Sequence, residues 1–237
     1  MTLFGPGEGG DRRPLYDRYS IELTGAADAP DLSEGNAAGV RLRSTRGEIP
    51  CLFHAPRPDA KTTHAVVFAP GSRGGFGGPG NGLYADLADD LAARGFAALR
   101  AGYRKPADLD ECTLDALVAV WHLSGLGYER MAIVGHSFGG AVAIGAARYS
   151  SHIRAVVAMS SQSDGAEDVV LLAPRPLLLV HGDRDGVIPI DTARTIFDWA
   201  FEPKELRVFA GADHGLRECR DEVRLLLGEW IPAHIAS

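Results

Sequence analysis

The sequence predicts an α/β fold: a mostly parallel central sheet with helices on both faces and a minimal cap or none. Three observations lead there. Short apolar runs such as "AVVFA", "MAIVG" and "PLLLV" read as strands buried on both sides. Stretches with apolar residues at helical spacing separate them. From residue 96 onward the two kinds alternate with short connections, the pattern of parallel strands joined by crossover helices.

Taken in order, residues 1–20 are rich in Gly, Pro and charge and read as a loose arm, with one domain over 21–237. "VRLRSTRGEIPCLFHAP" (40–56) reads as two strands joined near Arg46 and Gly47. "HAVVFAP" is a buried strand. It runs into "GSRGGFGGPGNG", where seven glycines in residues 71–82 rule out a helix or strand. "LYADLADDLAARG" is a helix stopped by Gly95. Then come strand "FAALRA", helix "LDECTLDALVAVWHL", strand "RMAIVG", helix "SFGGAVAIGAARY" and strand "IRAVVAM". Residues 160–176 are too short for a large cap. Strand "RPLLLVHG", helix "IDTARTIFDWA", strand "ELRVFAG" and helix "RECRDEVRLLLGEWI" complete the chain.

With 237 residues and 46% hydrophobic content the chain can bury a full core. A net charge of −7 argues against general affinity for nucleic acid or acidic lipid, and no basic cluster is interleaved with aromatics. Cys51, Cys112 and Cys219 are widely spaced, which suits neither a disulfide framework nor a zinc site. No apolar run approaches a membrane span, and the start has no signal-peptide core. The expectation is a cytoplasmic monomer or homodimer with no metal, nucleic-acid or membrane partner.

In open sheets of this type, the loops at the carboxyl ends of the strands build the site. One of these turns is "GHSFG" (135–139), a G-x-S-x-G pattern between a strand and a helix. A helix-capping serine in a glycine turn is the plainer explanation. The strand–turn–helix setting favours a nucleophile, because such a turn lifts the Ser137 hydroxyl above the sheet edge. A serine needs a base, and His214 in "FAGADHGL" lies in a loop after a strand near the chain's end. His136 adjoins the serine but should point away from the hydroxyl, and His181 ends a strand, where it should support the acid loop. The imidazole in turn needs an acid. Asp185 in "HGDRDGVIP" is preferred, with Asp183 and Asp164 as rivals. Ser137, Asp185 and His214 then fall on three different loops in the order Ser–Asp–His.

On "GHSFGG", "HGDRDGVIP" and "GADHG", in that order, the chain resembles the α/β-hydrolase family from about residue 40 to its end. It is most similar to dienelactone-hydrolase-like small esterases that lack a large cap. Dienelactone hydrolases proper carry a cysteine nucleophile, where this chain has Ser137. The resemblance implies a serine hydrolase acting on the esters or thioesters of a small-molecule acyl substrate, through an acyl-enzyme and without a cofactor. It also implies an oxyanion hole of two backbone N–H groups. One comes from Phe138. The other comes from the loop after "HAVVFA", where Pro70 stands in place of the family's histidine and Ser72 is the expected donor, with Arg73 next. Arg73, Tyr103 and Arg104 are expected in the substrate pocket, and Arg73, Arg104 and Lys105 suggest a substrate with an acidic group.

Two other classes stay open. One is a hydrolase-fold ligand-binding protein whose triad is idle. The other is an NADP-dependent reductase using the glycine loop 71–82, where "GFGGPG" is a literal G-x-G-x-x-G and Arg100 could meet a 2′-phosphate. Against the reductase, the preceding strand ends several residues too early, and Pro79 interrupts the motif.

Overall fold

The computed structural model describes residues 20–236, so all but the last residue of the expected arm lies outside the described residues. The elements are β1 (Leu23–Asp28), β2 (Ala38–Ser44), β3 (Gly47–His54), β4 (His64–Ala69), α1 (Pro79–Ala93), β5 (Ala97–Ala101), α2 (Leu109–Gly125) and β6 (Arg130–His136). They continue with α3 (Phe138–Tyr149), β7 (Ile153–Met159), β8 (Leu177–Gly182), α4 (Ile190–Trp199), β9 (Lys204–Phe209) and α5 (Arg220–Ile235). Short 3-10 turns lie at Pro30–Leu32 and Glu167–Leu171, and the second is the only regular element between β7 and β8.

The strands form one nine-stranded sheet in the order β1-β2-β3-β5-β4-β6-β7-β8-β9. β1, β2 and β3 join it antiparallel, and β5 through β9 run parallel. Alternation along each central strand feeds two cores. Ala65, Val67 and Ala69 of β4 face α2, α3 and α4, whereas Val66 and Phe68 face α1 and α5. A chain with strands apolar on both faces can satisfy both only between two helical layers. This is the α/β-hydrolase architecture expected from the sequence.

Sequence reading leaves β1 unassigned. "LTGAAD" has little strand propensity, and its residues alternate between half-buried and exposed at the sheet edge, so pairing with β2 decides its conformation. Gly80, Asn81 and Gly82 have left-handed dihedrals, so the regular part of α1 begins at Leu83. Gly95, at φ 93°, ends that helix in the conformation expected of a glycine stop.

The β2–β3 hairpin is tied to α2 by an ion cluster. Glu111 pairs with Arg46, with Lys105 at 2.9 Å and with Arg104 at 2.8 Å, and Arg104 also pairs with Asp115. Burial alone would raise the Glu111 pKa. Hydrogen bonds from Lys105 and Arg46 and the charge of Arg104 outweigh it and hold it at about 2, against an ordinary 4.5. A lowered carboxylate pKa stabilises the fold above the ordinary value and loses that effect as pH falls through the folded one. Glu111→Gln is therefore expected to cost on the order of 2 kcal/mol at pH 7. In urea titrations at several pH values, the gap from the parent should close between pH 4.5 and about 2. A gap independent of pH would show that packing, not charge, is what Glu111 supplies.

Candidate active site

β6 ends in the turn that carries Ser137. Its backbone sits at φ 58°, ψ −124°, a strained conformation for a residue with a side chain, and α3 starts at the next residue. Ser137 N donates to Met159 O at 2.8 Å, so the strand beside it fixes the turn. The flanking glycines are required by space. A Cβ on Gly139 would lie 2.5 Å from Ala69 O, and one on Gly135 would lie 2.7 Å from Gly140 N. Gly139→Ala is expected to cost about 3 kcal/mol, because backbone rather than a flexible side chain must move. Thermal unfolding measures this, and a loss below about 0.5 kcal/mol would show that the turn has slack.

The loop after β4 lies against this turn: a Cβ on Gly71 would sit 3.9 Å from Ser137 Cβ. Two buried tyrosines hold the start of the loop through its carbonyls. Tyr84 Oη donates to Ala69 O at 3.1 Å and Tyr103 Oη to Pro70 O at 2.9 Å. Burial raises the pKa of both phenols and keeps them protonated donors. The N–H of Phe138 is at the first position of α3 and has no acceptor within the helix. The N–H of Ser72 has no acceptor among the described residues.

Of the three acids the sequence leaves open, Asp185 meets His214: its Oδ2 accepts from His214 Nδ1 at 2.8 Å. Its Oδ1 accepts from the N–H groups of Val187 at 2.9 Å and Ile188 at 2.8 Å. Burial pushes the Asp185 pKa up, but the bonds from Ile188, His214 and Val187 more than reverse this and keep it below the usual carboxylate range. Asp183 instead accepts from Gly211 N at 2.6 Å, a turn contact, and Asp164 is exposed on the loop after β7. With Nδ1–H committed to Asp185, His214 keeps Nε2 as the free acceptor. No hydrogen bond joins Ser137 Oγ to His214 among the described residues.

His136 does more than sequence reading expects of it. Its Nε2–H donates to His214 O at 2.8 Å, and the two rings lie 4.9 Å apart. Burial drives its pKa down to about 4, so it stays neutral beside the other imidazole. Position 136 looks unpromising in sequence because the chain that brings His214 to it lies 78 residues away.

A cleft of about 360 Å³ opens beside these groups, with Arg73, Asn81, His136, Val187, His214 and Arg217 in its wall. Arg73 is exposed and pairs with no carboxylate among the described residues, whereas Arg217 bonds Asp213 at 2.9 Å. Two predicted pocket residues are placed differently. Arg104 lies in the buried ion cluster on α2, where it pairs with Asp115 and with Glu111 at 2.8 Å. Tyr103 is buried behind the loop after β4, edge-on to Phe138 at 6.2 Å. Arg100 is 1% exposed and occupied by His54, Glu34 and Phe76 O, so it is not free to meet a nucleotide phosphate. A separate cavity of about 400 Å³, between α2, α3 and the loop after β7, is lined in part by Gly165, Glu167 and Asp168 and touches none of Ser137, Asp185 and His214.

Among the described residues no helix is long and apolar enough to cross a membrane, and no cluster of His, Cys, Asp or Glu is arranged to hold a metal ion.

The fold has counterparts among known proteins. The model of the dienelactone hydrolase family matches residues 83–225, which include the serine turn, the acid loop and the histidine loop. The uncharacterized Escherichia coli protein YfhR is 28% identical over 144 residues, a match spanning 51% of this chain and only half the length of that relative. Est1E from Butyrivibrio proteoclasticus superposes with a TM-score of 0.70 at 18% identity, covering 80% of this chain and 96% of its own. A dienelactone hydrolase from Anabaena variabilis gives 0.68 at 20% identity, covering 81% and 94%. At these identities the structural likeness speaks for the fold, and the family match covers residues 83–225.

Proposed function

The chain belongs to the dienelactone hydrolase family of α/β hydrolases, and from that premise we propose that it cleaves carboxylic esters or thioesters of small molecules through an acyl-enzyme on Ser137. The observation that carries the proposal is the Asp185–His214 hydrogen bond at 2.8 Å, held at the carboxyl edge of the sheet beside the strained Ser137 turn. It commits the Nδ1 proton to the acid and leaves Nε2 a base.

In this mechanism Ser137 Oγ attacks the acyl carbon while His214 Nε2 takes its proton. The tetrahedral oxyanion forms hydrogen bonds to the N–H groups of Phe138 and Ser72. Collapse expels the alcohol or thiol, which receives the proton from His214. Water, deprotonated by the same imidazole, then releases the acid and restores Ser137. Asp185 orients His214 and stabilises its cation throughout.

A panel of p-nitrophenyl acyl esters and acyl thioesters tests the reaction, together with labelling of Ser137 by a fluorophosphonate. A feruloyl ester belongs in the panel because Est1E has been seen with ferulic acid bound. Hydrolysis with labelling at Ser137 is the expected result. A folded protein that neither labels nor hydrolyses any member would instead be a ligand-binding protein.

The guanidinium of Arg73, which pairs with no carboxylate among the described residues, stands in the cleft and favours substrates with an acidic group. Arg73→Glu is expected to lower kcat/KM about tenfold or more on an ester bearing a carboxylate, and less than about threefold on a neutral one. Equal losses on both would remove the acidic-substrate reading.

A further inference from the structure

Asp185 is approached by one donor more than orienting His214 requires. Besides His214 Nδ1, a second imidazole reaches its Oδ2: His181 Nε2 stands 3.3 Å away. His181, near the end of β8, is fully buried, and the same Nε2 lies 2.8 Å from Ile188 O. A carbonyl oxygen only accepts, so Nε2 carries the proton. Nδ1 is buried with no hydrogen-bond partner among the described residues, so a second proton there would leave an unsatisfied cation. His181 is therefore a neutral imidazole whose N–H dipole lies permanently beside the Asp185 carboxylate.

We propose that His181 is a positioning residue that sets the basicity of His214. Two effects follow from its place. Its bond to Ile188 O steadies the segment whose Val187 and Ile188 N–H groups hold Asp185 Oδ1. Its N–H also draws on the negative charge of the oxygen that His214 uses, and so weakens the support Asp185 gives to the His214 cation. The other titratable or charged groups around His214 act elsewhere. His136 donates to the His214 backbone carbonyl, and Arg73, Asp213 and Arg217 stand in the cleft. Among the described residues, only His181 shares the Oδ2 contact. Taking away its N–H should concentrate charge on Oδ2 and move the titration midpoint of His214 upward. Loss of packing alone gives no reason for that direction.

The importance of this tuning for rate rests on the hydrolase reading, but the electrostatic effect does not, so NMR is the first test. In the parent protein, long-range proton–nitrogen correlation should show His181 neutral with its proton on Nε2 throughout a pH titration. A proton on Nδ1, or a charged His181, would overturn the proposal even if no variant folds. In His181→Leu the His214 midpoint should rise, and in His181→Gln, whose amide N–H can replace Nε2–H, it should stay near the parent value. An unchanged or lowered midpoint in His181→Leu would also overturn it. On a hydrolysed ester, the acid limb of kcat/KM should move with that midpoint. There kcat should fall about tenfold with KM within about twofold, and Gln should restore most of the rate. A parent protein that neither hydrolyses nor labels at Ser137 would sink the hydrolase reading and leave the NMR midpoints to decide on His181.

Discussion

Ser137→Ala is expected to lower kcat on p-nitrophenyl esters by about 10⁴- to 10⁶-fold and to abolish fluorophosphonate labelling. The range is wide because members of a serine–histidine–acid unit are not additive, and an oxyanion hole can leave residual catalysis when the nucleophile is gone. Stability should change little. The turn is held by Ser137 N donating to Met159 O at 2.8 Å and by Gly140 N donating to Ser137 O at 3.0 Å, bonds that alanine also makes. Alanine adopts φ 58° with about the same strain as serine. Turnover and thermal unfolding of one preparation separate the two effects. A variant with a tenth or more of the parent rate would rule out Ser137 as the nucleophile.

Asp185→Asn should cost about 10⁴-fold in kcat with the fold intact. The loss comes from a proton in the wrong place. Val187 and Ile188 N–H both point at Oδ1 and will keep a carbonyl oxygen there. The new amide nitrogen then takes the position of Oδ2, facing His214 Nδ1. An amide nitrogen only donates, so His214 must accept at Nδ1 and hold its own proton on Nε2. That tautomer cannot take a proton from Ser137. The same nitrogen also meets His181 Nε2–H, donor against donor, which should add a modest loss of stability. Ester turnover from pH 6 to 9, beside NMR of the His214 tautomer, checks both parts. A loss below about tenfold would mean that Asp185 is not the orienting acid.

The legible part of this protein was set by local chemistry. Apolar runs long enough for a strand and buried on both sides, such as β4 and β6, leave few alternatives to a parallel sheet between helices. The glycines around Ser137 marked a turn where backbone passes close to backbone, and Gly95 marked a helix end. Asp185 and His214 stood out because each lies in a loop after a strand, the place where open sheets gather their reactive groups.

Direction and partnership were less legible. β1 had no pattern of its own, since an edge strand half in water needs no apolar run. Arg104 and Tyr103 follow a strand that ends near the site, so proximity in sequence suggested the pocket. Buried Asp115 and Glu111 hold the arginine inside, and a carbonyl of the loop after β4 holds the tyrosine behind it. Sequence points His136 away from the serine hydroxyl and assigns His181 to the support of the acid loop, but only folding shows that the one ring holds His214 O and the other Ile188 O.

By itself, then, the sequence determined the layers of the fold and the chemical types available at the ends of its strands. Those depend on residue spacing and on backbone space. The tertiary structure decided which acid meets His214, which arginine lines the cleft without a carboxylate partner among the described residues, and which imidazoles are buried. Those depend on buried donors and acceptors that come from distant segments, and a buried polar group takes the partner that the packing leaves within reach.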